Sequence, residues 1–331
     1  LKQKEDKANG VILLNLGGPD SLKAVKPFLF NLFSDREIIR LGPSLLQRPL
    51  ACLITAARYG KVEDAYRLIG GKSPILEMTT AQKQALEAEL NRGTEGVGRK
   101  PQERLRVYMA MRYWHPLIED VVPRIAADGI GRLIVIGLYP QYSIATTGSS
   151  FARLMEAVSH YPIETFAIPS WFDDPLYVDA VVEKIRTGMA TMPEDTGILF
   201  SAHSLPVKFI EEGDPYVEHI RATIGEITKR IDIRWDLSFQ SKSGPVKWLE
   251  PSTEQMLHEL AHRGAKNVLV VPISFVSDHI ETLYEIDILY KKMAASLGIR
   301  LERIESLNTS PLFISALKGI VQKGLKDAEW I

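Results

Sequence analysis

Short runs of apolar residues alternate along this chain with longer stretches in which apolar positions recur at helical spacing. Eight runs read as strands: residues 11–16, 105–111, 132–138, 163–168, 198–202, 235–240, 267–273 and 301–304. Helical periodicity appears between them, for example over 79–90, 117–127, 177–189 and 253–262. Strand and helix in alternation predict an α/β fold, with parallel sheets covered by helices on both faces.

The two halves look alike. Gly129-Ile-Gly-Arg-Leu-Ile-Val-Ile resembles Gly264-Ala-Lys-Asn-Val-Leu-Val-Val, 135 residues on. Pro175-Leu-Tyr recurs as Pro311-Leu-Phe, 136 residues on, each time opening a helix, where proline in the first turn is well tolerated. Gly10-Val-Ile-Leu-Leu matches Gly197-Ile-Leu-Phe-Ser, but 187 residues on, so the first half carries an insert of about 52 residues, placed between Phe33 and Gln102. Two such units side by side form a cleft at the carboxyl ends of their strands, where ligands of open α/β sheets bind.

Polar residues that can do chemistry fall at those strand ends. In Ile198-Leu-Phe-Ser-Ala-His203-Ser-Leu-Pro206 a strand ends at a histidine. Hydrogen bonding within a strand–helix turn would account for His203 just as well. In Ser277-Asp278-His279-Ile-Glu281-Thr-Leu-Tyr-Glu285, the three acids lie three and four apart on one helical face, beside apolar Ile280, Leu283 and Ile286. A solvated acidic face is the plain alternative. One histidine with several carboxylates suits a borderline divalent metal such as Fe²⁺, and the same groups accept protons. His203 and Glu281 are expected to come from different domains and meet across the cleft.

Other signatures are weak. Asn15-Leu-Gly-Gly-Pro lacks dinucleotide-site spacing, and neither a P-loop nor a G-x-S-x-G elbow is present. Thr146-Thr-Gly-Ser-Ser150 reads as a helix cap with a lesser claim to anion binding. A formal net charge of −1 gives no pull toward nucleic acid. The single Cys52 excludes a disulfide framework and a cysteine-rich cluster site. Residues 1–10 form a charged tail without the apolar core of a secretory signal, and no run approaches the roughly 20 apolar residues a membrane span needs. A cytoplasmic protein is expected, with peripheral contact to a membrane through Leu45-Leu-Gln-Arg-Pro-Leu-Ala-Cys-Leu-Ile54, which reads equally as a buried helix or an exposed apolar lip. Nothing in the sequence fixes an oligomeric state.

Taken together, these motifs resemble the ferrochelatase family over about residues 10–313. The most specific pieces are Leu14-Asn-Leu-Gly-Gly-Pro19, Ile69-Gly-Gly-Lys-Ser-Pro74, Arg112-Tyr-Trp-His-Pro116, Tyr139-Pro-Gln-Tyr-Ser, Thr146-Thr-Gly-Ser, the segments around His203 and Glu281 quoted above, and Gln240-Ser-Lys-Ser-Gly-Pro-Val-Lys-Trp248, all in the family's order. The resemblance implies two Rossmann-like, class II chelatase-like domains: 1–165 with a lip insert at 43–61, 166–308, and a helix at 309–331 that returns to the first. It implies that Fe²⁺ and protoporphyrin IX are substrates, giving protohaem and two protons. His203 and Glu281 would bind iron or move protons. Asp278, His279 and Glu285 would extend that polar line. Arg58, Tyr66 and Ser73 would contact the porphyrin near its propionates, with Tyr113, Trp248 and Phe275 as pocket walls. Leu289 departs from the glutamate of many relatives, and Leu16 from a methionine or tyrosine that faces the macrocycle. Ile144 stands where cluster-bearing relatives have a cysteine, so no iron–sulfur cluster is expected. The nearest alternatives are a coproporphyrin ferrochelatase or another tetrapyrrole chelatase. A two-lobed binding protein without turnover is a more distant one.

Overall fold

The computed structural model describes residues 7–39, 43–92, 104–242, 244 and 246–331. Residues 1–6 of the charged tail, 40–42 and 93–102 of the expected insert, and Ser243 and Pro245 of the 240–248 motif lie outside the described residues.

Each of the eight apolar runs forms a strand. The first half contains β1 (Ala8–Asn15), β2 (Arg106–Met111), β3 (Ile130–Gly137) and β4 (Glu164–Ile168). The second contains β5 (Gly197–His203), β6 (Trp235–Gln240), β7 (Asn267–Pro272) and β8 (Arg300–Arg303). They make two parallel sheets of identical order, β2-β1-β3-β4 and β6-β5-β7-β8. Val11 through Leu14 are fully buried in sequence, so both faces of β1 are covered. That is why the central strands read as unbroken apolar runs rather than alternating ones.

The helices of the first half are α1 (Leu22–Ser34), α2 (Gln47–Leu68), α3 (Ile75–Leu90), α4 (Ile118–Ala127) and α5 (Ser149–Val158). Then come α6 (Pro175–Met189), α7 (Val207–Glu211), α8 (Tyr216–Thr228), α9 (Thr253–His262), α10 (Lys291–Ser296) and α11 (Pro311–Asp327). The crossover from β1 to β2 holds α1, α2 and α3, whereas that from β5 to β6 holds α7 and α8. The surplus of the first half is therefore helical, and α2, packed on α1, is its most prominent part.

The expected divide between residues 165 and 166 cuts β4. All five residues of that strand pair with β3, so the first sheet continues to Ile168. Beyond it the two halves exchange their last helices. After β4, α6 packs on α8 and β7 of the second half. After β8, α11 packs on α3, β3 and β4 of the first half, and on α6. A glycine sits at the same place in each contact. A Cβ at Gly188 would stand 2.9 Å from Leu269 and 3.2 Å from Ile304; one at Gly324 would stand 2.8 Å from Ile168 and 3.5 Å from Ile134. The absent side chains let each helix lie close on the other half's strands, and one apolar cluster runs through both sheets.

In each sheet the chain leaves its first strand toward one side and returns on the other. The crevice at this reversal, between β1 and β3 or between β5 and β7, is where open α/β sheets place ligands.

Candidate active site

His203 is the last residue of β5, directly opposite Gln240, the last of β6. Its backbone is tied on both sides: its N–H donates to Ser274 Oγ at 3.0 Å, and Tyr216 Oη donates to its carbonyl at 3.0 Å. The imidazole keeps 35% of its side-chain surface open. Its Nδ1 lies 2.8 Å from Glu281 Oε2.

Glu281 begins a π-helix, Glu281–Tyr290, that follows β7 and runs into α10. A second π-helical turn, Ile144–Gly148, occupies the equivalent place after β3. Hydrogen bonding from i to i+5 widens the turn, and such segments gather at functional sites. Here Glu281 and Glu285 share one side, and one hydroxyl joins them: Ser241 Oγ lies 2.8 Å from Glu281 Oε2 and 2.6 Å from Glu285 Oε2. Gln240 Nε2 adds a longer contact to Glu281 Oε2 at 3.3 Å. His279 Nδ1 is 3.1 Å from the Ser277 carbonyl, to which it donates, so its buried Nε2 carries the lone pair; that nitrogen has no hydrogen-bond partner and lies 3.9 Å from Glu281 Oε1.

Two expectations need correction. His203 and Glu281 do not come from different domains: both belong to the second half, His203 at the end of β5 and Glu281 in the π-helix after the neighbouring β7. Asp278 does not continue the acidic line. It precedes the π-helix, and its carboxylate takes Arg303 at 3.1 Å, Ser306 Oγ at 2.8 Å and Asn308 Nδ2 at 2.8 Å. Arg303 also pairs with Asp287 at 2.8 Å, so it pins the segment before the helix to the helix itself. Burial would raise the Asp278 pKa; Asn308, Arg303 and Ser306 outweigh it and hold the carboxyl below the usual range. Its stabilisation is complete above the ordinary carboxylate value and is lost as pH falls through the lowered one. Asp278→Ala is expected to cost roughly 1–3 kcal/mol in denaturant unfolding. Unchanged stability with lost turnover would assign Asp278 to chemistry instead.

Burial alone would lower the His203 pKa. The Glu281 carboxylate, through charge and hydrogen bond, and then Glu285, overcome that and raise it above 6.5. Burial pushes Glu281 up, but His203, His279 and Ser241 bring it down on balance. Glu285 is raised to about 7 by burial and by the Glu281 charge, against the Ser241 hydrogen bond. Burial holds His279 below the ordinary imidazole value. Two carboxylates joined through one hydroxyl thus have opposite proton affinities.

The residues expected around the porphyrin are more scattered. Phe275 stands 4.1 Å from the His279 ring and 6.2 Å from the His203 ring, centroid to centroid. Trp248 is half-buried, and its indole N–H has no partner. Tyr66, on α2, is buried and feels the Glu281 charge, since α2 packs on the π-helix. Ser73 is also buried: its N–H donates to the Pro19 carbonyl at 2.7 Å, and a Cβ on Gly18 would be 2.6 Å from its hydroxyl. Arg58 is exposed, its guanidinium 5.6 Å from the centroid of the Phe33 ring. Tyr113 donates to Asp35 at 2.6 Å and lines a groove of about 620 Å³ that includes neither His203 nor Glu281. All four of Arg58, Tyr66, Ser73 and Tyr113 belong to the first half; among them Tyr66 comes near enough to the His203–Glu281 pair to feel the Glu281 charge. Among the described residues, no three His, Cys, Asp or Glu side chains are spaced to hold a metal ion. Gln240, Ser241, Ser274 and Tyr216 were not expected at the site; the first two lie in the 240–248 motif, which is the one signal they carry.

Two parallel four-stranded sheets, with an imidazole–carboxylate pair at the carboxyl ends of one, make a two-lobed α/β fold of the kind that solved chelatases have. The fold is similar to SirB from Bacillus subtilis with Fe³⁺, with a TM-score of 0.58 at 11% identity over 97% of both chains. It is also similar to the sirohydrochlorin chelatase SirB from Bacillus subtilis subspecies spizizenii in complex with cobalt, with a TM-score of 0.52 at 12% identity. In sequence the chain is 50% identical to the ferrochelatase of Geotalea daltonii over 318 residues, 94% of this chain and 96% of that one. It is 50% identical to the ferrochelatase of Desulfotalea psychrophila over 315 residues, with the same coverage. The ferrochelatase family profile matches residues 8–325, and the chain belongs to the ferrochelatase family.

Proposed function

We propose that this ferrochelatase inserts Fe²⁺ into protoporphyrin IX, with His203 and Glu281 handling the metal and the departing protons. The observation that carries the reading is the 2.8 Å contact between His203 and Glu281, with part of the imidazole still open. Two pyrrole protons must leave as the metal enters. A flat ring hides its nitrogen lone pairs from a metal on one face, and gripping the ring in a distorted shape exposes them, with strain drawn from binding energy elsewhere. Neutral His203 takes one pyrrole proton, Glu281 stabilises the imidazolium, and the Glu285 carboxylate takes that proton on, which frees the imidazole to accept the second before both pass to solvent. Arg58, Tyr66 and Ser73 grip the propionate side, and Tyr113, Trp248 and Phe275 wall the ring.

Protoporphyrin is the preferred ring, because its two vinyl groups suit an apolar lip better than the two extra propionates of coproporphyrin. Anaerobic turnover with both porphyrins tests this: many equivalents metallated per chain, with the higher kcat/KM for protoporphyrin, is the expected result. A clear preference for coproporphyrin reverses the ring assignment, and absence of turnover removes the function. Residues 1–331 would hold no iron–sulfur cluster by themselves, since Cys52 supplies one of the four thiolates a cluster normally needs.

The lip would meet porphyrin or a membrane surface from the cytoplasmic side. Leu45, Leu46 and Leu53 are exposed to 90%, 50% and 67%, and Leu50 is half-buried. Among the described residues, no helix is long and apolar enough to cross a membrane, so contact would be peripheral. Replacing Leu46, Leu50 and Leu53 together by serine should raise KM for porphyrin or weaken binding to vesicles without unfolding the protein. Loss of the folded state would make these leucines ordinary core.

A further inference from the structure

Glu281 Oε2 receives three groups: His203 Nδ1, Ser241 Oγ and, more distantly, Gln240 Nε2. Among the described residues no hydrogen bond reaches its other oxygen, Oε1, which His279 Nε2 approaches to 3.9 Å. The carboxylate is therefore anchored through one oxygen, and the other takes no hydrogen bond from the described residues. The Ser241 hydroxyl is the group that also reaches the next acid, Glu285. Its backbone is arranged for this. Ser241 has φ of +67°, a left-handed conformation in which serine is uncommon. Such conformations persist where the surroundings over-determine them, and they cluster at functional sites. Asn308, a second non-glycine residue with positive φ, holds Asp278 at the start of the same segment.

We propose that Ser241 is a positioning residue. Its hydroxyl fixes Glu281 Oε2 against His203 so that Oε1 faces the incoming metal, and it ties Glu285 to the same pair. This rests on the reading of Glu281 as a metal- and proton-handling group. The end of β2, topologically equivalent to that of β6, holds the first half in the same manner. There Arg112 reaches Ser149 at 3.0 Å, at the start of the helix after β3, and Tyr113 reaches Asp35. Residues just after this strand thus brace neighbouring segments in both halves, and in the second half the brace acts on two acids.

The test is steady-state kinetics on the full chain with Ser241→Gly, Glu285→Gln, the double variant and Glu281→Gln. Glycine adopts positive φ without strain, so Ser241→Gly removes the hydroxyl and keeps the turn. The expected result is a fall in kcat of about tenfold or more, the scale of a lost charge-assisted hydrogen bond, with a raised KM for Fe²⁺, an unchanged KM for porphyrin and an undiminished melting temperature. Because Ser241 and Glu285 would act as one unit, the double variant should be little worse than the worse single one. Wild-type kcat and iron KM in Ser241→Gly, or full additivity with Glu285→Gln, overturns the proposal. If Glu281→Gln is impaired while Ser241→Gly is not, only the serine assignment falls. If Glu281→Gln turns over normally, the underlying reading falls with it. Ser241→Ala checks the result without a glycine, and should show the same kinetic pattern with some loss of stability.

Discussion

Replacing His203 by alanine should remove about 10²–10⁴-fold of kcat, the usual worth of a positioned acid–base group, while porphyrin still binds. The imidazole stands at the end of β5, partly open, and its packing is not what holds the strand: the backbone contacts to Ser274 and Tyr216 survive the substitution. The Glu281 carboxylate then loses its imidazole partner but keeps Ser241 and Gln240. Stability should therefore change little, and the ring, gripped mainly by other side chains, should bind with nearly unaltered affinity. Fluorescence quenching of porphyrin and stopped-flow metallation separate the two quantities. Near-normal turnover in His203→Ala would sink the mechanism, whatever its effect on binding.

Glu281→Gln should be almost as damaging, and it carries a second signature in the pH profile. In the proposed mechanism turnover requires neutral His203, so kcat should fall on the acid side, with its limb displaced upward from the ordinary imidazole range because Glu281 holds the pKa up. Glutamine keeps the shape and removes the charge. Burial, which favours the neutral ring, then dominates, and the acid limb moves to lower pH even though the plateau is lower. A limb that stays in place would mean that His203 is not the titrating group. Stability should run the other way. The raised imidazole pKa stabilises the fold fully below the unfolded value and loses that contribution as pH rises through the folded one; the lowered Glu281 pKa gives stability present above the ordinary carboxylate value and lost as pH falls through the lowered one. The ion pair is thus firmest between those two limits, and it weakens over the same rise in pH that, in the proposed mechanism, frees His203 to take a proton.

The strands were legible because central parallel strands leave no doubt about period: Val11 to Leu14 and Val268 to Val271 are apolar at every position. His203 was legible as a strand-end polar residue for the same reason. The pairing of His203 with Glu281 inside one half was not, because it depends on β7 lying beside β5, a matter of sheet order rather than local pattern. Asp278 was misread because spacing alone puts it in line with Glu281, whereas its partner Arg303 lies 25 residues on and turns it away. A π-helix and an α-helix cannot be told apart over the ten residues from Glu281 to Tyr290, since apolar positions fit either turn. Ser241 escaped notice because its value lies in a backbone angle and in two acids more than 39 residues away.

The exchange of α6 and α11 bears on how the cleft opens. Proteins built of two lobes on a simple linker swing about a hinge, and the seam between the lobes parts. Here each lobe is clasped by a helix that belongs to the other, and the glycines at positions 188 and 324 bring both clasps into close contact with the opposing strands. Swinging the lobes apart would drag two helices off two sheets and expose apolar surface in both. The sheets therefore behave as one rigid frame, and access for a flat ring falls to the part of the molecule outside the clasp. That part is the helical insert of the first half, where α2 runs from the bare leucines at its outer end to buried Tyr66, which feels the Glu281 charge.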